Sequence, residues 1–262
     1  MRYQLSVAAA MAVMVVVLGS SANAEAARPG PRCVAPAGFP SFAPSLRRTA
    51  RRLAHSEPLT VVAIGSSSTA GAGASSSAAA YPARLEAALK AHFPTISIRV
   101  LNRGVNGEET RDMMARFARD VFAEHPQLVL WQVGTNSVLR DEPLAEHGAQ
   151  MRQGLEQLKA ANADVVLIDL QYSPKVLEKT ETEGMLDQIA LMAKEENVDL
   201  FHRFAIMHDW NERQHLPFNV YVAPDQLHMN DWGYACVAKL IAGAIAEAAT
   251  RPVAAAAAHS GR

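Results

Sequence analysis

Leu59-Thr60-Val61-Val62-Ala63-Ile64-Gly65-Ser66-Ser67-Ser68-Thr69 is the stretch on which the fold turns. Its first six residues are mostly aliphatic and show no alternation between apolar and polar positions. A strand with one face in water alternates. One that does not is covered on both faces, as in a parallel sheet held between two layers of helices. The run then ends on a glycine and consecutive serines, a signal for a turn.

Reading outward, the same pattern recurs. Ser97-Ile-Arg-Val-Leu101, Gln127-Leu-Val-Leu-Trp-Gln-Val133, Asp164-Val-Val-Leu-Ile-Asp-Leu170 and Val198-Asp-Leu-Phe201 are further strands. Helical periodicity is expected over 82–92, where Pro82 stands in the first turn, and over 109–123, 143–160, 181–197 and 231–248. Strand–helix alternation of this kind predicts a three-layer α/β/α sandwich around a five-stranded, mostly parallel sheet. Right-handed crossovers would bring the C-terminal ends of all strands to one edge, where open α/β sheets bind ligands.

The chemistry-bearing residues fall on that edge. Ser66, Ser67 and Ser68 follow the first strand, and Asn102-Arg-Gly-Val-Asn-Gly107 ends the second. Gly134-Thr135-Asn136-Ser137 follows the third, and Gln171-Tyr172-Ser173-Pro174 the fourth. Asp225-Gln-Leu-His228 precedes the last helix. An Asp three residues before a His can orient and charge-stabilise the imidazole, and a Ser after a strand is where that imidazole would meet a nucleophile. Tyr172 would line a substrate pocket beside them. Trp131, Trp210 and Trp232 read as core or rim packing rather than as a recognition platform. The Gly-, Ala- and Ser-rich segment 71–80 is expected to be mobile beside Ser67.

The ends of the chain speak to its compartment. Arg2, an apolar run over 7–18 and Ala22-Asn23-Ala24 have the layout of a cleaved secretory signal over 1–24. At about a dozen residues the run is short for a span, which needs roughly 20, although an uncleaved anchor is the competing reading. The expected partition is a signal peptide at 1–24, an arm at 25–58, one domain at 59–250 and a disordered Ala-rich tail at 251–262. Periplasmic or secreted localisation follows, with no stable membrane insertion after cleavage. Cys33 and Cys236 are an even pair in an exported chain, which favours a disulfide over two buried thiols.

Composition excludes other classes. The chain has 262 residues, 49% of them hydrophobic, enough for a single sizeable core. A formal net charge of −1 gives no general pull toward nucleic acid, and no nucleic-acid partner is expected. Arg47, Arg48, Arg51 and Arg52 form a local basic stripe at helical spacing, read either as a solvated face or as a weak attraction to an anionic envelope polymer. The nine histidines are scattered and no Cys/His cluster has ligand spacing, so neither a metal nor a cofactor is expected.

Taken in order, these segments resemble the SGNH hydrolases of the GDSL esterase/lipase superfamily, over about residues 60–248. Gly65-Ser66-Ser67-Ser68 is similar to that family's Gly-Asp-Ser-Leu block and places the nucleophile at Ser67, with Ser66 and Ser68 as alternatives of register. The resemblance implies Gly104 as a backbone oxyanion donor and Gly134-Thr135-Asn136 as the block that supplies an Asn side-chain donor, Asn136. The Ser67 N–H would join them. It implies Asp225 and His228 as the rest of a triad, and a flavodoxin-like SGNH fold. Ser66 stands where the block carries Asp, Ser68 where it carries Leu, and Ser137 where many relatives carry Asp.

The activity that this resemblance implies is hydrolysis of short acyl esters, acetyl above all, through an acyl-enzyme. A small-molecule or carbohydrate ester would be the substrate. An O-acetyltransferase using the same residues and a non-catalytic carbohydrate-binding protein are the alternatives.

Overall fold

A computed structural model describes residues 31–42 and 46–250, which fall within one compact unit. The signal peptide expected at 1–24 and the tail expected at 251–262 lie outside the described residues.

Five strands form one sheet: β1 (Leu59–Gly65), β2 (Ile98–Gly104), β3 (Leu128–Gln132), β4 (Asp164–Ile168) and β5 (Asp199–Phe201), in the order β2-β1-β3-β4-β5. Every pairing is parallel, so the sheet is wholly rather than mostly so. The chain steps out from β1 to β2, then places β3 on the other flank of β1. That reversal opens a crevice between the loops that follow β1 and β3.

The helices are α1 (Arg47–Ala54), α2 (Ser67–Ala70), α3 (Tyr81–His92), α4 (Thr110–Ala115), α5 (Phe117–Asp120), α6 (Thr135–Leu139), α7 (Leu144–Ala160), α8 (Pro174–Leu177), α9 (Thr182–Glu195), α10 (Arg203–Glu212) and α11 (Asp231–Thr250). Alternate residues of β1 serve opposite cores. Val61 and Ala63 join Leu85, Leu89, Ile241 and Ile245, while Val62 and Ile64 join Phe117, Met151, Leu155 and Ile189. Burial of each such aliphatic side chain contributes about 1.5–3 kcal/mol. This is why β1 is apolar at successive positions: it has no wet face. The helix α11 is long and apolar enough to cross a membrane by length and composition, but nine of its residues are buried and it packs against α3 and α1.

Two differences from the expected elements have physical causes. The helix expected over 109–123 breaks at Arg116, which caps α4 with φ −112° and ψ 8°. Its guanidinium is drawn inward by Glu108 Oε2 (2.7 Å), Asp120 Oδ2 (2.7 Å) and Gly65 O (3.3 Å), and the backbone follows. The helix α10 was not foreseen. Its buried residues, Arg203, Ile206, Met207, Asp209 and Trp210, include an arginine and an aspartate, so they do not read as an apolar stripe.

Ahead of the sheet, Cys33 and Cys236 form a disulfide, with Cα atoms 5.3 Å apart across a sequence separation of 203. Val34 O accepts from Trp210 Nε1 (2.8 Å) and from Gln214 Nε2 (3.3 Å). Thr49 fastens α1 to the start of β4 by donating its N–H and Oγ1–H to Asp164 Oδ2 at 2.8 and 2.9 Å.

Candidate active site

Gly65 ends β1 at a point where no side chain fits: a Cβ there would lie 2.2 Å from Thr69 Oγ1 and 2.8 Å from Gln132 Oε1. The three serines that follow have different partners. Ser66, 1% exposed, turns inward and donates both its N–H (2.9 Å) and its hydroxyl (3.0 Å) to Gln132 Oε1. Ser68, also 1% exposed, donates its hydroxyl to Gln171 Oε1 at 3.4 Å. Ser67, the first residue of α2, faces the other way, with its Oγ 2.7 Å from His228 Nε2.

His228 belongs to a loop shaped by Gln226, whose φ of +62° is left-handed. The loop is closed by Ala223 N donating to His228 O (2.8 Å) and held to the segment after β4 by Lys175 N donating to Gln226 O (3.2 Å). Asp225 Oδ1 accepts the Leu227 N–H (3.0 Å) and the His228 N–H (2.9 Å), and Oδ2 lies 2.5 Å from His228 Nδ1. A carboxylate can only accept, so Nδ1 carries the proton and Nε2 is left to accept from the Ser67 hydroxyl. Partial burial works against the Asp225 carboxylate, but the ring and the two backbone N–H groups outweigh it and hold it at about 2. It is therefore ionised across the neutral range.

Asn136, in α6, donates one amide hydrogen to Glu108 O at 2.8 Å, which leaves its second hydrogen to offer elsewhere. Gly104, at the end of β2, is paired in register with Gly65. Its N–H donates to Asn102 Oδ1 at 2.9 Å, so an oxyanion role requires that bond to be given up. Its need to be glycine is steric, since a Cβ would stand 2.1 Å from Ala70 N in α2. Tyr172 is buried in an aromatic group: stacked on Phe218 (5.7 Å between centroids), edge-on to Phe204 and His208, with its hydroxyl donating to Glu212 Oε1 at 3.2 Å. Two of the tryptophans, Trp131 and Trp210, are fully buried.

The segment 71–80, expected to be mobile, is pinned. Ser75 donates its N–H and hydroxyl to Asp231 (2.7 and 2.5 Å), and Tyr234 donates its hydroxyl to Ala72 O (2.6 Å). Gly73, at φ +85°, lies so near His228 that a Cβ would come within 2.9 Å of the histidine Cβ. The small residues that suggested flexibility serve this close approach instead.

Beneath the edge lies a polar network that sequence reasoning missed. Gln171 Oε1 accepts from Thr135 Oγ1 (3.1 Å) and Arg203 Nη2 (2.9 Å) as well as from Ser68, and Gln171 Nε2 donates to Leu227 O (3.4 Å). It thus joins the segments after β1, β3 and β4 to the histidine loop. Arg203 Nη2 also donates to Asp169 O at 2.6 Å. Burial pushes the Asp169 carboxyl up to about 7, against the Phe204 N–H and the Arg203 charge, which pull it down. The available signals were Gln132 inside an otherwise apolar strand and Arg203 at the head of a helical stripe. Among the described residues, no group of three or more His, Cys, Asp or Glu could hold a metal ion.

Residues 32–251 match the Non-GDSL lipase-like family. An acetylxylan esterase of Geobacillus stearothermophilus is 30% identical over 128 residues, which is 44% of this chain and 57% of that enzyme. A two-domain esterase active on acetylated mannans superposes with a TM-score of 0.68 at 18% identity, over 79% of this chain and 53% of its own. This chain thus spans little more than half the length of these two relatives. The crystal structure of an acetylxylan esterase from Geobacillus stearothermophilus superposes with a TM-score of 0.61 at 24% identity, over 71% of this chain and 94% of its own. Catalytic mutants of that enzyme have been made at a serine, an aspartate and a histidine, the last two three positions apart. At these identities the superpositions speak for the fold.

Proposed function

The chain belongs to the Non-GDSL lipase-like family, and from that premise we propose that it is an exported serine esterase removing short acyl groups, acetyl above all, from carbohydrate. The observation that carries this reading is the line of contacts from Asp225 Oδ2 through the His228 ring to Ser67 Oγ, at the C-terminal edge of a parallel sheet. The acetylxylan and acetylated-mannan esterases among its relatives supply the substrate class. This chain's serine, histidine and aspartate resemble those of SGNH hydrolases, but the GDSL label does not apply: the family is described as non-GDSL, and Ser66 and Ser68 depart from that block. Export rests on the leader read in residues 1–24.

In the proposed reaction His228 Nε2 takes the hydroxyl proton as Ser67 Oγ attacks the ester carbonyl. Asp225 stabilises the imidazolium and holds its tautomer. The tetrahedral intermediate collapses, the C–O bond to the sugar breaks, and His228 returns the proton to the departing hydroxyl. Water, activated by the same ring, then attacks the acyl-enzyme, releasing acetate and restoring Ser67. The carbonyl oxygen gains negative charge in both halves. Its donors would be the Ser67 N–H, the second amide hydrogen of Asn136, and the Gly104 N–H once released from Asn102.

Fluorophosphonate labelling with peptide mapping tests the assignment, alongside acetate release from acetylated xylan and mannan oligosaccharides. Labelling confined to Ser67, with acetate release abolished by the label, is the expected result. Absence of both would leave a non-catalytic binding protein instead.

A further inference from the structure

The opposite edge of the sheet holds a cleft of about 370 Å³ that takes no part in the proposed reaction. It opens beside the N-terminal ends of β1, β3 and β4, about 20 Å from the Ser67 edge, given six strand steps between Leu59 and Gly65. Its walls carry Arg48, Arg51 and Arg52 from α1, with Glu57, His125 and Asn162. Three guanidinium groups share the walls with one carboxylate, Glu57, and a second, Asp164, lies behind Arg48.

These arginines are only partly neutralised. Arg48 donates to Asn162 Oδ1 at 2.9 Å and lies 3.6 Å from Asp164, whose carboxyl is pushed up by burial and held by Thr49. Arg52 pairs with a half-exposed Glu57 at 3.0 Å, where an ion pair contributes little in water. Arg51 is exposed and has no side-chain partner among the described residues. Guanidinium forks match carboxylate and phosphate geometry, and their spacing along α1 is held by the anchor of Thr49 on Asp164.

From this geometry we infer that the cleft is a second binding site, for acid-bearing units of a glycan. The shared ligand chemistry is an oxyanion, carboxylate or phosphate, on a polyhydroxylated chain. Arg51 and Arg52 engage the anion, while Asn162, Glu57 and His125 offer partners for hydroxyl groups. A membrane surface fits less well: the site is concave, and the large exposed apolar side chains among the described residues (Val34, Phe39, Val105, Leu177 and Leu191) all lie outside it. The cleft would anchor a polymer while the far edge acts on it. The inference does not depend on hydrolysis, because no catalytic group lines the cleft.

The test is calorimetric titration of the folded chain with oligogalacturonate, a glycerol-phosphate oligomer, neutral xylo-oligosaccharide, inorganic phosphate and phosphatidylglycerol vesicles. Saturable binding of either acidic oligomer is expected, with the stronger of the two identifying the anion. Arg51→Ala with Arg52→Ala should weaken it by at least about tenfold and leave p-nitrophenyl acetate turnover unchanged. Salt should weaken it as well. Equal binding by wild type and variant, saturation by inorganic phosphate alone (an adventitious ion only), or a preference for vesicles would each overturn the inference. If turnover is absent and the oligomers still bind through these arginines, the esterase reading fails and the cleft stands.

Discussion

Gln132 Oε1 accepts both the backbone N–H and the hydroxyl of Ser66, at 2.9 and 3.0 Å, across the boundary between β3 and the end of β1. A single side-chain oxygen thereby turns one serine into the sheet and leaves its neighbour, Ser67, facing His228.

Replacing each serine in turn reads this arrangement directly. Ser67→Ala should abolish ester turnover and fluorophosphonate labelling. Ser68→Ala should retain most of the activity. Gln132→Leu should cost about 2–4 kcal/mol in urea unfolding, because three buried donors, the Ser66 N–H, the Ser66 hydroxyl and the Thr69 hydroxyl, lose their acceptor, and should also lower turnover. A Ser67→Ala protein with full turnover would remove the proposed mechanism.

Asn136→Ala should lower kcat by about a hundredfold or more, the usual effect of losing one oxyanion donor. Its unfolding midpoint should move only slightly, since the lost bond goes to a single carbonyl, Glu108 O. A large loss of stability with kcat preserved would make Asn136 a loop anchor and nothing more.

Asp169 gives a pH dependence of stability. Its carboxyl is raised in the folded chain to about 7, from an ordinary 3.8. Below the ordinary value both states hold the proton and the folded form bears no cost. Between about 4 and 7 the unfolded chain ionises while the buried carboxyl resists, so stability falls as pH rises through that window. Asp169→Asn keeps an acceptor for the Phe204 N–H, now at 2.9 Å, and removes the titration. Urea unfolding at pH 5 and pH 8 should show the wild type losing a few kcal/mol more than the variant, with His202 near the carboxylate accounting for part of any remaining slope. Parallel profiles would refute the buried-acid assignment.

Reduction of Cys33–Cys236 should lower the melting temperature. Closing a loop of this length removes on the order of 5 kcal/mol of denatured-state entropy. Cys33→Ser should match the reduced protein, and an unchanged midpoint would show that Val34 and its partners hold the arm alone.

Much of this is legible in the sequence. The inner strands β1, β3 and β4 announce themselves because a doubly covered strand cannot hide its lack of alternation, and Asp225 and His228 stand three apart, within reach of one turn. Other parts were not legible. The Arg116 break and the helix α10 depend on where a buried guanidinium finds its acceptors, which helical periodicity does not encode. The segment 71–80 reads as mobile by composition, yet at Gly73 the lack of a side chain permits a close approach to Met229 and His228, which no local pattern announces.

By itself the sequence determined a parallel sheet between helices, and with it the edge at which polar residues would gather. Strand patterning is a local property, and the right-handed crossover rule carries it to topology without knowledge of any contact. Only the tertiary structure decided that Ser66 and Ser68 turn inward while Ser67 faces the histidine, that Asn136 ties to Glu108, and that three arginines meet Glu57 and Asn162 in a cleft on the far side. Those outcomes depend on which distant polar groups come within about 3 Å of one another, and a directional bond of that length is settled by packing rather than by neighbours in the chain.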